Sequence, residues 1–149
     1  MLCVHILAAV LMRHRSYSEL RQLSTFKERY DYLKLNGRVG AETFGYNRYV
    51  NQRFYRSTEW KHIRDQIIIR DNGCDLGVEG YDLHLRIYIH HLNPMTVDDI
   101  DQGRQMILDP DNLICVSFDT HQAIHFGDES LLPQIPIERI PGDTCPWRY

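Results

Sequence analysis

Two adjacent histidines, His90 and His91, followed by Asn112 and then by His121 and His125, constrain this chain more than any other feature. Half of its eight histidines fall between positions 90 and 125. Imidazoles concentrate metal-binding and proton-transfer capacity near neutral pH. The segments that carry them limit the folds able to bring them together. LRIYIHHLN alternates Leu85, Ile87 and Ile89 with Arg86, Tyr88 and His90, which predicts a strand ending in two histidines that point to opposite faces. Asn93-Pro94 breaks the strand, residues 94–108 form a long acidic connection through Asp98, Asp99 and Asp101, and Pro110-Asp111 makes a second turn. NLICVS then reads as the return strand of an antiparallel pair. Asp119, followed three residues later by Gln122, has the form of a capping box opening a short helix over THQAIHF, which Gly127 closes.

Upstream, Leu20, Leu23, Phe26, Tyr30 and Leu33 recur at helical steps, with Ser24-Thr25 as a cap dividing two short helices and Asn36-Gly37 as a stop. Residues 40–56 interleave Phe44, Tyr46, Tyr49, Phe54 and Tyr55 with Arg48, Arg53 and Arg56. Such a stretch lines a nucleic-acid surface, or else packs its rings in the core with the arginines solvated. From Ser57, a good N-cap, Trp60, Ile63, Ile67 and Ile68 mark one face of an amphipathic helix that ends at Asn72-Gly73, with Lys61, Arg64 and Arg70 mostly off that face. Gly77 and Gly80 mark a turn, and the tail from Pro133 holds four of the six prolines without a clear period.

The net charge of −3 hides an asymmetry. Residues 13–70 carry 13 Lys/Arg against 6 Asp/Glu, and residues 71–149 carry 4 against 14. A basic half is expected to dock on phosphate while the acidic half helps hold a cation. With 149 residues, 43% of them apolar, the chain is long enough for one domain with a real core. Its four cysteines, Cys3, Cys74, Cys115 and Cys145, are far apart with no CxxC, which argues against a disulfide framework and for a reducing, cytosolic setting. The apolar start MLCVHILAAVLM is too short to span a bilayer. Translation starting at Met12 and a buried helical turn both account for it.

The chemistry follows from spacing. His121 and His125, four apart on a helix, project from one face with Cβ atoms about 5 to 6 Å apart, so their nitrogens can converge on one cation. One of His90 and His91 supplies a third ligand and leaves positions open for water and a phosphate oxygen. The other is directed toward an attacking water, work that suits a group with a reference pKa near about 6.5. Asn112 bridges to a backbone group or to the base and fixes its ring. The whole reads as a single-metal phosphodiesterase site, with the division of labour within the histidine pair left open.

This ordered set resembles that of the HNH endonucleases with the ββα-metal fold, in the version seen in the nuclease colicins, and NLICVSFDTHQAIH is similar to the NLITLCxxCHxxIH end of many bacterial and phage members. The resemblance implies an α+β protein: a helical, basic region over 1–55, a nuclease core with a two-stranded antiparallel hairpin and a metal-binding helix over 56–128, and a Pro-rich tail over 129–149. It implies His91 as general base, Asn112 as its orienting residue, and His90, His121 and His125 as ligands of one divalent ion (Mg, Mn, Ni or Zn). DNA is the expected partner, with Arg48, Arg53, Arg56, Lys61 and Arg64 as candidate phosphate contacts. The lead-in to the core and the segment HFGDESLL look like those of small phage or prophage proteins from Gram-positive hosts. That likeness implies a place in the bacterial cytoplasm, away from membranes, with terminase or other packaging proteins as further candidate partners.

One departure stands out. Many members carry two CxxC knuckles around a structural zinc, whereas here Cys74 keeps the first position and Gly77, Ser117 and Thr120 stand where the other three would be. No structural zinc is therefore expected, and stability must come from the N-terminal helices and the apolar face around Trp60. A second reading, from another class, is a non-catalytic nucleic-acid-binding accessory protein with a structural metal site; a third is an inert phage accessory protein that binds no metal.

Overall fold

Side-chain caps set most of the element boundaries. The computed structural model describes residues 14–35, 48–78, 81–103 and 105–133, with the backbone alone at 48–51 and 97. The apolar start, the Asn36-Gly37 stop, Phe44, Tyr46, Gly80, the side chains of Arg48 and Tyr49, and the tail beyond Pro133 lie outside the described residues. Ser16 opens α1 (Tyr17–Leu20), and Thr25, in a reciprocal capping box with Glu28, opens α2 (Phe26–Leu33). The Arg-aromatic stretch, given no secondary structure from its sequence, includes a helix, α3 (Arg48–Arg56). Ser57, whose hydroxyl accepts from the Trp60 amide, starts α4 (Thr58–Arg70), and Asn72 and Gly73 at positive φ turn the chain back at its end.

Strands β1 (Tyr88–His91) and β2 (Leu113–Val116) pair antiparallel, with His90 opposite Ile114 and His91 opposite Leu113. The strand expected from Leu85 begins only at Tyr88. Arg86 sits at φ +55°, which breaks extension, and Leu85 is left 85% exposed. The acidic connection is not a plain loop. It holds helix α5 (Val97–Asp101), opened by a capping box between Thr96 and Asp99, and 3-10 turns at Gln105–Leu108 and Pro110–Asn112. The helix after β2, α6 (Phe118–Phe126), is capped by Ser117 rather than Asp119: Ser117 is extended and its hydroxyl takes the Thr120 amide, while Asp119 lies inside the first turn, where its charge favours the helix dipole. Gly127, at φ +68°, closes it.

The fold is thus α+β, with helices on both faces of a two-stranded sheet. Alternation along the strands feeds two cores. On one face Tyr88, Ile114 and Val116 pack with Leu20, Leu33, Leu35, Leu92 and Ile124. On the other Ile89, Leu113 and Cys115 pack with Phe54, Trp60, Ile63, Ile67 and Ile107. The N-terminal helices belong to the first core, and the Leu35 amide donates to Ile124 O at 2.8 Å. No helix among the described residues is long and apolar enough to cross a membrane.

A hairpin of four residue pairs is not stable alone, and the outer edge of β2 must be satisfied. The segment 70–77 does this. Arg70 donates to Leu113 O at 2.7 Å and Pro110 O at 2.6 Å, its guanidinium lies over Tyr17 at 3.6 Å, and it pairs with Asp71 at 2.7 Å. Asp71 accepts from the Cys115 amide at 2.8 Å, and Cys115 O accepts from Leu76 N at 3.0 Å. Asp75 accepts from the Ser117 amide at 2.9 Å, the Gly77 amide at 2.9 Å and the Thr120 hydroxyl at 2.5 Å. Gly77, Ser117 and Thr120 stand where many members of the family that the sequence resembles carry cysteines; here they converge on one buried carboxylate. A side chain at Gly77 would collide with the Thr120 methyl group.

Asp75→Ala leaves three buried or half-buried donors without an acceptor, and each such orphan costs about 1–3 kcal/mol. The expected result is a loss of at least about 3 kcal/mol in urea unfolding, with helix content retained under native conditions. A change below about 1 kcal/mol would mean that this carboxylate does not hold the edge.

Candidate metal centre

His90 lies at the end of β1 on the face covered by α6, and His121 and His125 stand one turn apart on that helix. The structure brings these three together: one ring nitrogen from each lies within 4.8 Å of the others. Nε2 of His121 and Nε2 of His125 are 3.1 Å apart, close to the roughly 3.3 Å that two nitrogens of one tetrahedral zinc site would show. His90 is 2% exposed, and its Nε2 is buried without a hydrogen-bond partner, as is Nδ1 of His125. A buried imidazole nitrogen without a partner is costly, and a cation accepting the lone pairs would remove that cost at His90. The donor set therefore fits a single metal ion.

Electrostatics favour ligation. Burial above all, then the neighbouring charge of His121 and His125, holds His90 well below the usual histidine range. Burial takes His121 down to about 4 and also lowers His125. All three are neutral at neutral pH, each with a lone pair to give. Among the described residues no carboxylate joins this group, whereas the charge balance led one to expect the acidic half to help hold a cation. Six of its aspartates are engaged with backbone amides: Asp71 on Cys115, Asp75 on Gly77 and Ser117, Asp99 on Thr96, Asp109 on Asp111, Asp111 on Ser18, and Asp128 on Ser130.

His91 faces the other way. Its ring is stacked on Trp60 at 5.5 Å with an interplanar angle of 16°, near Phe54 at 6.5 Å. Its Nε2 lies 3.0 Å from Ile107 O. A carbonyl only accepts, so Nε2 carries the proton and the lone pair sits on Nδ1. Burial lowers His91 to about 4, opposed by the bond to Ile107.

Asn112 does not hydrogen-bond to His91; it braces the loop that does. Its side-chain oxygen accepts from the Asn93 amide at 3.0 Å and from Asn93 Nδ2 at 2.7 Å, and its Nδ2 donates to Met106 O at 2.9 Å. Met106 immediately precedes Ile107, whose carbonyl holds His91. Asn93 in turn exchanges two hydrogen bonds with the Arg15 backbone, at 2.9 and 2.8 Å.

Of the candidate phosphate contacts, Arg53, Arg56 and Lys61 are exposed on α3 and α4, while Arg64 is half-buried, 3.7 Å from Asp65. Sequence reasoning missed Asn93, the Ile107 carbonyl and the role of Trp60. Periodicity put Trp60 on an apolar face, but nothing in the sequence marked it as the residue stacked on a histidine. No protein-family profile, curated protein or solved structure matches the chain.

The depressed histidines make a pH prediction for the metal-stripped protein. Below about pH 6.5 the unfolded chain takes up protons that His91 and His121 refuse in the fold until about 4. The unfolded state binds more protons across this window, so stability is full above it and falls as pH drops through it, by about 1.4 kcal/mol per group per pH unit. The urea midpoint is expected to fall steeply between pH 7.5 and 4.5, and His91→Phe to flatten the slope. A profile that is flat for the unaltered protein would contradict the burial of these rings.

Proposed function

We propose that this protein is a divalent-metal-dependent endonuclease of the HNH kind, with a ββα-metal core formed by β1, β2 and α6, that hydrolyses DNA phosphodiester bonds. One observation carries the reading: three neutral imidazoles converge with a buried, unpartnered Nε2 at His90, and the next residue in the chain is a histidine held by a backbone carbonyl. His90, His121 and His125 would hold the cation, which when bound supplies positive charge to a phosphate oxygen and the leaving oxygen. His91, its Nε2–H fixed on Ile107 O, offers Nδ1 to take a proton from the attacking water. Trp60 holds the plane of that ring, and Asn112 holds the Met106 carbonyl beside its anchor. Arg48, Arg53, Arg56, Lys61 and Arg64 are the residues assigned to the phosphate backbone. A bacterial cytoplasm and a role beside phage packaging proteins such as terminase are the setting that goes with this reading.

An all-nitrogen donor set suits zinc, nickel or cobalt better than magnesium, which prefers oxygen ligands. Zinc or nickel is expected to raise the thermal midpoint, and equimolar magnesium to leave it unchanged. Plasmid nicking or linearisation should require a divalent ion and disappear with EDTA. His91→Ala is expected to lose about 10²–10⁴-fold in rate while still binding zinc, whereas His125→Ala loses zinc affinity as well. Undiminished cleavage by His91→Ala would remove it from the role of base.

The depth of His90 also favours a second reading, a structural metal in a non-catalytic nucleic-acid-binding protein. Circular dichroism in EDTA separates the two. Unfolding on metal removal supports the structural role, and retained helicity with lost cleavage supports catalysis.

A further inference from the structure

Beside the histidine group lies a row of rings that the proposed chemistry does not use. Phe118 opens α6 three residues before His121, and so shares its helix face. It is 50% exposed, although a phenylalanine gains most from burial. Its ring is 5.6 Å from that of Tyr88, and Tyr88 is 5.8 Å from His121, so the row runs unbroken from solvent to the metal ligands. Asp119, the neighbouring residue, leaves the helix about 100° further round.

Charge decides what such a ledge would bind. The group offers one ring nitrogen from each of three histidines, and among the described residues no carboxylate belongs to it. A divalent ion held there by imidazole nitrogens alone would keep its double charge. The adjoining occupant is therefore an anion, and the exposed ring beside it calls for one that carries a flat aromatic group. A nucleotide has both. A paired base keeps its faces stacked inside the duplex, while an unpaired one presents a face to a protein ring.

We infer that Phe118, backed by Tyr88, is a stacking site for an unpaired base of the DNA strand whose phosphate lies on the histidine group, so that the protein prefers single-stranded or frayed DNA. This inference rests on the nuclease reading for the phosphate but concerns binding rather than rate.

The test uses the full chain carrying His91→Ala, so that DNA is bound without being cut, loaded with zinc. Fluorescence anisotropy compares a short single-stranded oligodeoxynucleotide, its duplex, and an abasic sugar-phosphate chain of equal length. The single strand is expected to bind roughly tenfold more tightly than the abasic chain, and more tightly than the duplex. Phe118→Ala should bring the single strand down to the abasic level without changing abasic binding or zinc affinity, and Phe118→Trp should restore it. A 2-aminopurine base in the strand should be quenched by the protein with Phe118 and not by Phe118→Ala. Equal binding of the single strand with and without Phe118 overturns the stacking site while leaving the nuclease reading standing. Failure of the zinc-loaded protein to bind any of the three overturns both.

Discussion

Everything at the candidate site hangs on the outer edge of β2. Two strands with four residue pairs bury too little to persist alone, and an edge of unpaired amides and carbonyls would fray. The chain covers that edge with its own backbone and with two carboxylates and a guanidinium from residues 70–77. A buried charge pair is expensive to desolvate, so Arg70 and Asp71 are worth keeping only because both also bond backbone groups of β2, or the turn leading into it, that would otherwise be orphaned. Asp75 works in the same way at the junction of β2 and α6, where it ties the strand end to the helix that carries His121 and His125. A tethered metal at this place would do the same mechanical work with cysteine ligands; a carboxylate does it here with three hydrogen bonds.

With the hairpin held, adjacent residues can do different jobs. Strand alternation sends His90 toward α6 and His91 toward Trp60, so the two imidazoles share a strand end but have separate surroundings. His90 is left with a buried nitrogen that lacks a partner, whereas His91 has one nitrogen fixed by Ile107 and the other directed by that choice of tautomer. The support for His91 is indirect and reaches a long way. Asn112 bonds Met106 and Asn93, Asn93 bonds Arg15, and the N-terminal segment is thereby linked to the loop that positions the ring.

How much of this was legible depended on whether the cause was local. Thr25, Ser57 and Gly127 were readable because a cap or a left-handed stop is decided by a residue and its near neighbours. Ser117 was overlooked in favour of Asp119 because both residue types cap well, and only the extended backbone at 117 decides between them. The Thr96 and Asp99 box was present in the sequence but hidden in a run that looked merely acidic. The strand was overextended because alternation from Leu85 is genuine in the sequence, while the positive φ of Arg86 is not visible there. Spacing picked out His121 and His125 and the resemblance chose His90 from its pair, yet the partners of His91 were not legible: Ile107 contributes a carbonyl, which carries no residue signature, and Trp60 looked like any core aromatic.

The charge asymmetry of the chain takes on a different meaning once those partners are known. An acidic second half suggested carboxylate ligands for a cation, but six of its aspartates are engaged with backbone amides at turns, caps and the β2 edge. A carboxylate that already accepts a backbone amide is a poor metal donor, because ligation would have to break a bond that the fold needs. Imidazoles buried on the inner side of α6 have no such competing engagement at His90 Nε2. Among the described residues the histidine group thus includes no carboxylate, and a cation held by neutral nitrogens alone would attract an anion more strongly than one already balanced by carboxylates. In this chain the engaged aspartates favour an all-nitrogen donor group by being occupied elsewhere.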